Sequence, residues 1–278
     1  MSYWWPRILV GLLIVVVAAT IVTAGPFPLA TLPFRATMAW VRTAQLARVG
    51  GDQRLDSRHF LVYYPSGEQA TAARVAAQGE AAWSDWSSQL GQVGGAMPAG
   101  PVAVILVPNE KTLQATLGWS GGSGLDASGV YWDGVIYLVA QDRPLPVAHE
   151  FTHWFLAMES GGSVPRWLSE GLAQWEQARV TGYVWRDPAG NPATHAPYTI
   201  AQLDSFGSLD NQALAYRESL ALVQTLAARG GPLAPARLVA GLANGESADG
   251  AAEAASGSTW AGLWQSWLAT VAALPARP

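Results

Sequence analysis

The chain has no cysteine. That removes disulfides, thiol nucleophiles and every cysteine-bearing metal site, so any metal must be held by His, Asp or Glu. A domain of this size still folds without disulfides, because its core is large enough. Charge is also scarce: charged residues make up 13% of the 278, the net charge is −4, and Lys111 is the single lysine. With no basic face, nucleic acid is excluded as an expected partner. Histidine is the third shortage. His59, His149, His153 and His195 are the whole supply, and two of the four stand four residues apart.

Half of the residues are hydrophobic, enough for a sizeable core and against global disorder. The 14 tryptophans are expected mainly in core and interface packing. Residues Ile8 to Ala24 form an uncharged apolar run behind Trp4, Trp5 and Arg7. Its length is at the lower limit of a bilayer span, and the tryptophans suit a lipid–water interface. Val22-Thr23-Ala24 is alternatively a signal-peptide cleavage pattern; length favours an uncleaved anchor. The expectation is a single-pass cell-membrane protein with its main domain outside the cytoplasm, or a secreted one if the segment is cleaved. The division expected is 1–25 as anchor or signal, 26–54 as a juxtamembrane segment, and 55–278 as the main domain. Within 33–50, Phe34, Met38, Val41 and Gln45 share a helical face, which either lies on the membrane or packs on the domain.

Strands are expected at 59–64 (HFLVYY), 102–107 (VAVILV) and 130–140, the last with a turn or bulge at Asp133-Gly134. A helix is expected over 68–90 and a short one over 109–117. The glycine-rich stretch 118–129 is expected as a flexible flap and 181–198 as a long loop. Helices follow from 144, over 166–179, and at 199–206, 211–229, 235–243 and 259–273. Strands first and helices later predict an α+β fold, with a small mixed sheet lobe followed by a helical lobe.

The chemistry centres on His149-Glu150-Phe151-Thr152-His153. Positions i and i+4 lie one turn apart on one helical face, so two imidazoles can converge on one zinc ion. Glu150, offset by one residue, points beside the metal, where it can take a proton from zinc-bound water. A helix with two exposed or capped histidines is the bland alternative. Catalytic zinc needs a third protein ligand. Glu170 lies seventeen residues after His153 among Trp167, Leu168, Leu172 and Trp175, an apolar setting in which a carboxylate calls for a partner. Two helices joined by a short Gly-rich turn can bring it to the histidines.

HEFTH followed by PRWLSEGLA resembles the gluzincin metallopeptidases, and most closely the bacterial peptidase-MA-like family of exported or membrane-tethered proteins. The similarity spans roughly residues 55–272, through HFLVYYPSG, PVAVILVP, SGVYWDGVIYLV and AYRESLALV. It implies a thermolysin-like fold and a zinc peptidase with one ion per chain, held by His149, His153 and Glu170, with Glu150 as catalytic base and a peptide or protein as substrate. It also points to Tyr216 as a donor to the oxyanion; a core or helix-surface tyrosine is the alternative. His195 reads as a solvent-exposed loop histidine.

Two departures matter. Gly129-Val130-Tyr131-Trp132-Asp133 lacks the glutamate with which the aminopeptidase branch holds a substrate amino terminus, so an endopeptidase is expected, with this stretch free to pair with an extended peptide. Gln174 stands where some gluzincins carry an acidic residue that orients a histidine. The competing functional readings are an inactive binding or scaffold domain at the membrane and a hydrolase of non-peptide amides.

Overall fold

The computed structural model describes residues 31–49, 53–118, 128–140, 144–185 and 195–272. The run from Ile8 to Ala24, most of the glycine-rich stretch and part of the long loop lie outside the described residues. Among the described residues, no helix is long and apolar enough to cross a membrane.

The elements in chain order are α1 (Leu32–Val49), β1 (Gln53–Asp56), β2 (Phe60–Tyr64), α2 (Gln69–Gln92), β3 (Val102–Val107), α3 (Glu110–Leu117), β4 (Gly129–Trp132) and β5 (Val135–Val139). Helices follow: α4 (Val147–Ser160), α5 (Arg166–Thr181), α6 (Ile200–Leu203), a 3-10 turn at Phe206–Ser208, α7 (Gln212–Gly230), α8 (Ala234–Ala243), α9 (Ala248–Ser256) and α10 (Trp260–Ala272). The sheet order is β1-β2-β3-β5-β4. Its centre, β2-β3-β5, is parallel, and β1 and β4 are antiparallel edges.

The fold is a mixed α+β one, as the strand-then-helix order predicts. β3 and β5 are buried along their whole length, as parallel strands covered on both faces are. Val102, Val104 and Leu106 face the main core, while Ala103, Ile105 and Val107 face a smaller cluster closed by Leu113 of α3 and Leu46 of α1. The sheet and the helices share one core. One buried cluster runs from Phe60 and Val62 on the sheet, through Trp86, Phe151 and Phe155, to Trp260 and Leu263 of the last helix. The sheet's inner face must be covered; α2 and α4 cover it, α5 and α8 pack on those two, and α7, α9 and α10 pack in turn on α5, α8 and one another.

The 130–140 stretch is a hairpin. Asp133 (φ 49°) and Gly134 (φ 81°) form its two-residue turn, the paired left-handed conformation that matches strand twist. β1 and α9 were not expected from the sequence, and the helix expected over 199–206 is only the four-residue α6 plus the 3-10 turn. Helix α1 is docked on the domain. Arg35 donates to Met158 O and to Glu159 Oε1, both at 2.8 Å, and Arg42 donates to Pro101 O at 2.8 Å. Phe34 and Met38 pack on the core, and Gln45 accepts from the Tyr137 hydroxyl at 3.4 Å.

Candidate metal centre and active-site cleft

Pro146 precedes the first turn of α4, and Gly161 ends it in the left-handed conformation (φ 65°). The inner face of α4 is fixed by Phe151 against Phe60 and by Thr152, whose hydroxyl donates to Ala148 O at 2.8 Å and accepts from Trp86 Nε1 at 3.3 Å. His149 and His153 are thereby turned to the opposite side, into a cavity of about 510 Å³.

Helix α5 returns alongside α4 and brings Glu170 to both rings. Glu170 Oε2 lies 3.3 Å from His149 Nε2 and 3.3 Å from His153 Nε2, and the two nitrogens are 3.1 Å apart. Glu170 Oε2 is buried with no hydrogen-bond partner among the described residues. Three donors forming a nearly equilateral triangle around a shared gap fit a small tetrahedral ion. Bonds of about 2.0–2.1 Å at tetrahedral angles set neighbouring ligand atoms about 3.3 Å apart. These three residues can therefore hold a metal ion. Burial opposes ionisation of Glu170, but His153 and His149 outweigh it and hold the carboxyl well below the usual carboxylate range.

Glu150 is buried beside the triangle. Its Oε2 accepts from the Tyr131 backbone N–H at 2.7 Å. Burial pushes its pKa up to about 7, with the nearby Glu170 adding to the rise and His149 and the Tyr131 N–H opposing it. Gly129 permits this approach: a Cβ there would lie 2.8 Å from Pro146 Cγ and 3.1 Å from Glu150 Cγ. Among the described residues β4 pairs only with β5, and its other edge borders the cleft, which Gly129, Val130, Tyr131 and Trp132 line.

Tyr216 of α7 also lines the cleft. Helix α7 reaches so close because Gly171, next to Glu170, has no side chain; a Cβ there would stand 2.4 Å from Ser219 O. Burial, together with the nearby Glu170, raises the phenol's pKa, so it remains a proton donor. Phe206 and Trp185 meet its ring edge-on, with centroids 4.9 and 5.4 Å away.

Gln174 does not orient a histidine. Its amide donates to Tyr216 O at 2.7 Å and so ties α5 to α7. The residue that meets the second nitrogen of His153 is Ser169, whose Oγ lies 2.7 Å from His153 Nδ1. With Ser169 accepting, the ring proton sits on Nδ1 and Nε2 turns its lone pair into the triangle. Gln177 Oε1 accepts from the His149 backbone N–H at 3.1 Å. Sequence reasoning missed both residues, although Ser169 is adjacent to Glu170. His195 is exposed and does not line the cleft.

Residues 84–273 match the profile of the Peptidase MA superfamily, more than half of the chain. The chain belongs to that superfamily. No curated protein matches it. Membership in the Peptidase MA superfamily makes this a metallopeptidase-like protein, a hydrolase by class. The matched span contains His149, Glu150, His153, Glu170 and Tyr216. The strand HFLVYY, part of the resemblance in the sequence, lies before it.

Proposed function

We propose that this member of the Peptidase MA superfamily is a zinc-dependent endopeptidase acting on peptides or proteins outside the cytoplasm, held at the membrane by the run from Ile8 to Ala24. The observation that carries the enzymatic reading is the triangle of His149, His153 and Glu170 donors with a buried, half-tethered carboxyl beside it. Zinc suits a site of two imidazoles and one carboxylate. When bound, it polarises a peptide carbonyl and lowers the pKa of water to about 7.

The remaining chemistry belongs to the chain's own residues. Glu150, with one oxygen anchored on Tyr131 N–H and its pKa near neutrality, is placed to take a proton from the attacking water and pass it to the leaving amine. Tyr216, protonated at neutral pH, can donate to the developing oxyanion. Apart from the Tyr131 N–H, which Glu150 holds, the edge of β4 away from β5 offers backbone groups to an extended substrate. The absence of an acidic residue from Gly129 to Trp132 leaves nothing there to hold a substrate amino terminus, which favours internal cleavage.

The test is zinc content and peptide cleavage by the full chain in detergent. The expected result is one zinc per chain, with cleavage lost on chelation and restored by zinc. A zinc-replete protein that cleaves nothing across a broad peptide library would sink the peptidase reading.

A further inference from the structure

One cleft cation, Arg166, stands beside the Tyr216 phenol and near Glu170, and these two contacts do not use up its donors. Arg166, the first residue of α5, lies one turn before Glu170 and lines the cavity with its side chain half exposed. Its guanidinium is held in place. The carbon centre lies 5.3 Å over the ring of Phe206, which is buried. Gly207 leaves it room: a Cβ at Gly207 would stand 3.1 Å from Arg166 Nη1. The one described carboxylate within 4 Å is Glu170, whose Oε1 is 3.6 Å from Arg166 Nε, beyond hydrogen-bond reach. A fork of donors is thus oriented at the cleft wall without a bidentate partner among the described residues.

The surroundings strengthen what such a fork can do. Leu156, Ala157 and Val164 line the same cavity, and Trp132 stands on the strand side with 42% of its surface exposed. In an apolar cleft a guanidinium–carboxylate pair is worth more than in open solvent. The guanidinium is near enough to Glu170 to stand one or two extended residues, at roughly 3.3 Å each, from the reacting centre.

We propose that Arg166 is a substrate-binding and specificity-determining residue. It takes a substrate carboxylate, carried one or two residues from the scissile bond, in a bidentate pair. The carboxylate is either a peptide's own C-terminus or an acidic side chain. This inference rests on the peptidase reading, but its failure can be told apart from the failure of that reading.

The experiment uses the full chain, zinc-replete, with zinc content and melting temperature checked for each variant. Peptide pairs differ only in a free C-terminus against a C-terminal amide, or in Asp and Glu against Asn and Gln, at the first and second positions on either side of the cleaved bond. For at least one pair, the wild type is expected to favour the carboxylate member about tenfold to a hundredfold in kcat/KM, mainly through KM. Arg166→Gln is expected to bring that ratio close to one, and Arg166→Lys to keep part of it. Preference for the free C-terminus alone marks a carboxypeptidase-like enzyme, and preference for internal Asp or Glu an endopeptidase; both support the proposal. Equal cleavage of both members by the wild type overturns it and leaves the peptidase reading standing. So does an Arg166→Gln loss that falls equally on both members in kcat, which would assign Arg166 to Tyr216 or Glu170 instead. The same pairs are titrated against Glu150→Gln as a readout that does not need turnover. If nothing is cleaved but Arg166→Gln, placed in that background, abolishes a carboxylate preference in binding, the site stands and the peptidase reading falls. No preference in either assay removes the site.

Discussion

Helix α5 carries two buried glutamates six residues apart, and they have opposite fates. Glu170 and Glu176 are both buried, and each has carboxylate oxygen lacking a hydrogen-bond partner among the described residues. Six residues rotate the helix by roughly 240°, so Glu170 faces the histidines of α4 and Glu176 faces α2. Near Glu176, Asp85 is already engaged by Arg179 through two bonds of 3.0 Å. Burial and then the Asp85 charge push the Glu176 pKa up to about 9, so it is neutral at pH 7. Glu170 stays ionised because two imidazoles converge on it. A buried acid alone therefore does not mark a site; several donors pointing at one gap do.

The comparison breaks most visibly if the ligand end is removed. Glu170→Ala leaves two protein ligands, and stoichiometric zinc is expected to be lost along with cleavage, measured by elemental analysis after dialysis. Glu176→Ala retaining less zinc than Glu170→Ala would reverse the assignment of the two ends. Next in size is Glu150→Gln. It keeps shape and helix propensity while removing the base, so zinc is expected to stay bound and kcat to fall at least about 10²-fold. A fall in zinc content instead would make Glu150 a ligand rather than a base.

A smaller effect tests how the two ends are joined to α7. Gly171→Ala puts a methyl 2.4 Å from Ser219 O, a backbone atom that cannot turn aside. The expected cost is about 1–3 kcal/mol, read from denaturant midpoints. It should fall on activity as well, since the same crossing sets Tyr216 beside Glu170. A variant that keeps both stability and activity would show that the close crossing is not needed.

What the sequence disclosed follows from which contacts are local. His149, Glu150 and His153 lie within one turn and a half, and Glu170 belongs to the next helix, so their convergence is written in spacing. The buried strands β3 and β5 announced themselves as unbroken apolar runs. β1 did not, because Gln53-Arg54-Leu55-Asp56 is polar, as an exposed edge strand is apt to be. α9 did not, because ADGAAEAAS has no large apolar residue to mark a period, only the cap Ser247, whose side chain accepts from Gly250 N. The setting of Arg166 was hidden for a different reason: the Phe206 ring that holds it lies forty residues away. Ser169 was hidden because adjacency in sequence does not say which nitrogen a hydroxyl will meet.

The smallest effect at neutral pH, and the one that separates the two glutamates most cleanly, is Glu176→Gln. The folded-state pKa of Glu176 is raised above its unfolded value near 4.5. Below pH 4.5 both states hold the proton and folding meets no penalty. Between pH 4.5 and about 9 the unfolded chain gives up a proton that the folded chain keeps, so stability drains as pH rises. Gln cannot titrate and fills the same space. The variant is thus expected to match the wild type near pH 5 and to exceed it by a growing margin up to pH 9. The slope of that difference cannot exceed about 1.4 kcal/mol per pH unit, the limit for a single proton. Zinc content should be unchanged throughout, since Asp85 and Arg179 are the charged neighbours of this end and His149, His153 and Glu170 lie on the other. Melting curves of both proteins from pH 5 to pH 9 measure it. Parallel curves, or a wild type that gains on its variant as pH rises, would mean that Glu176 is ionised in the fold and that the contrast with Glu170 is wrong.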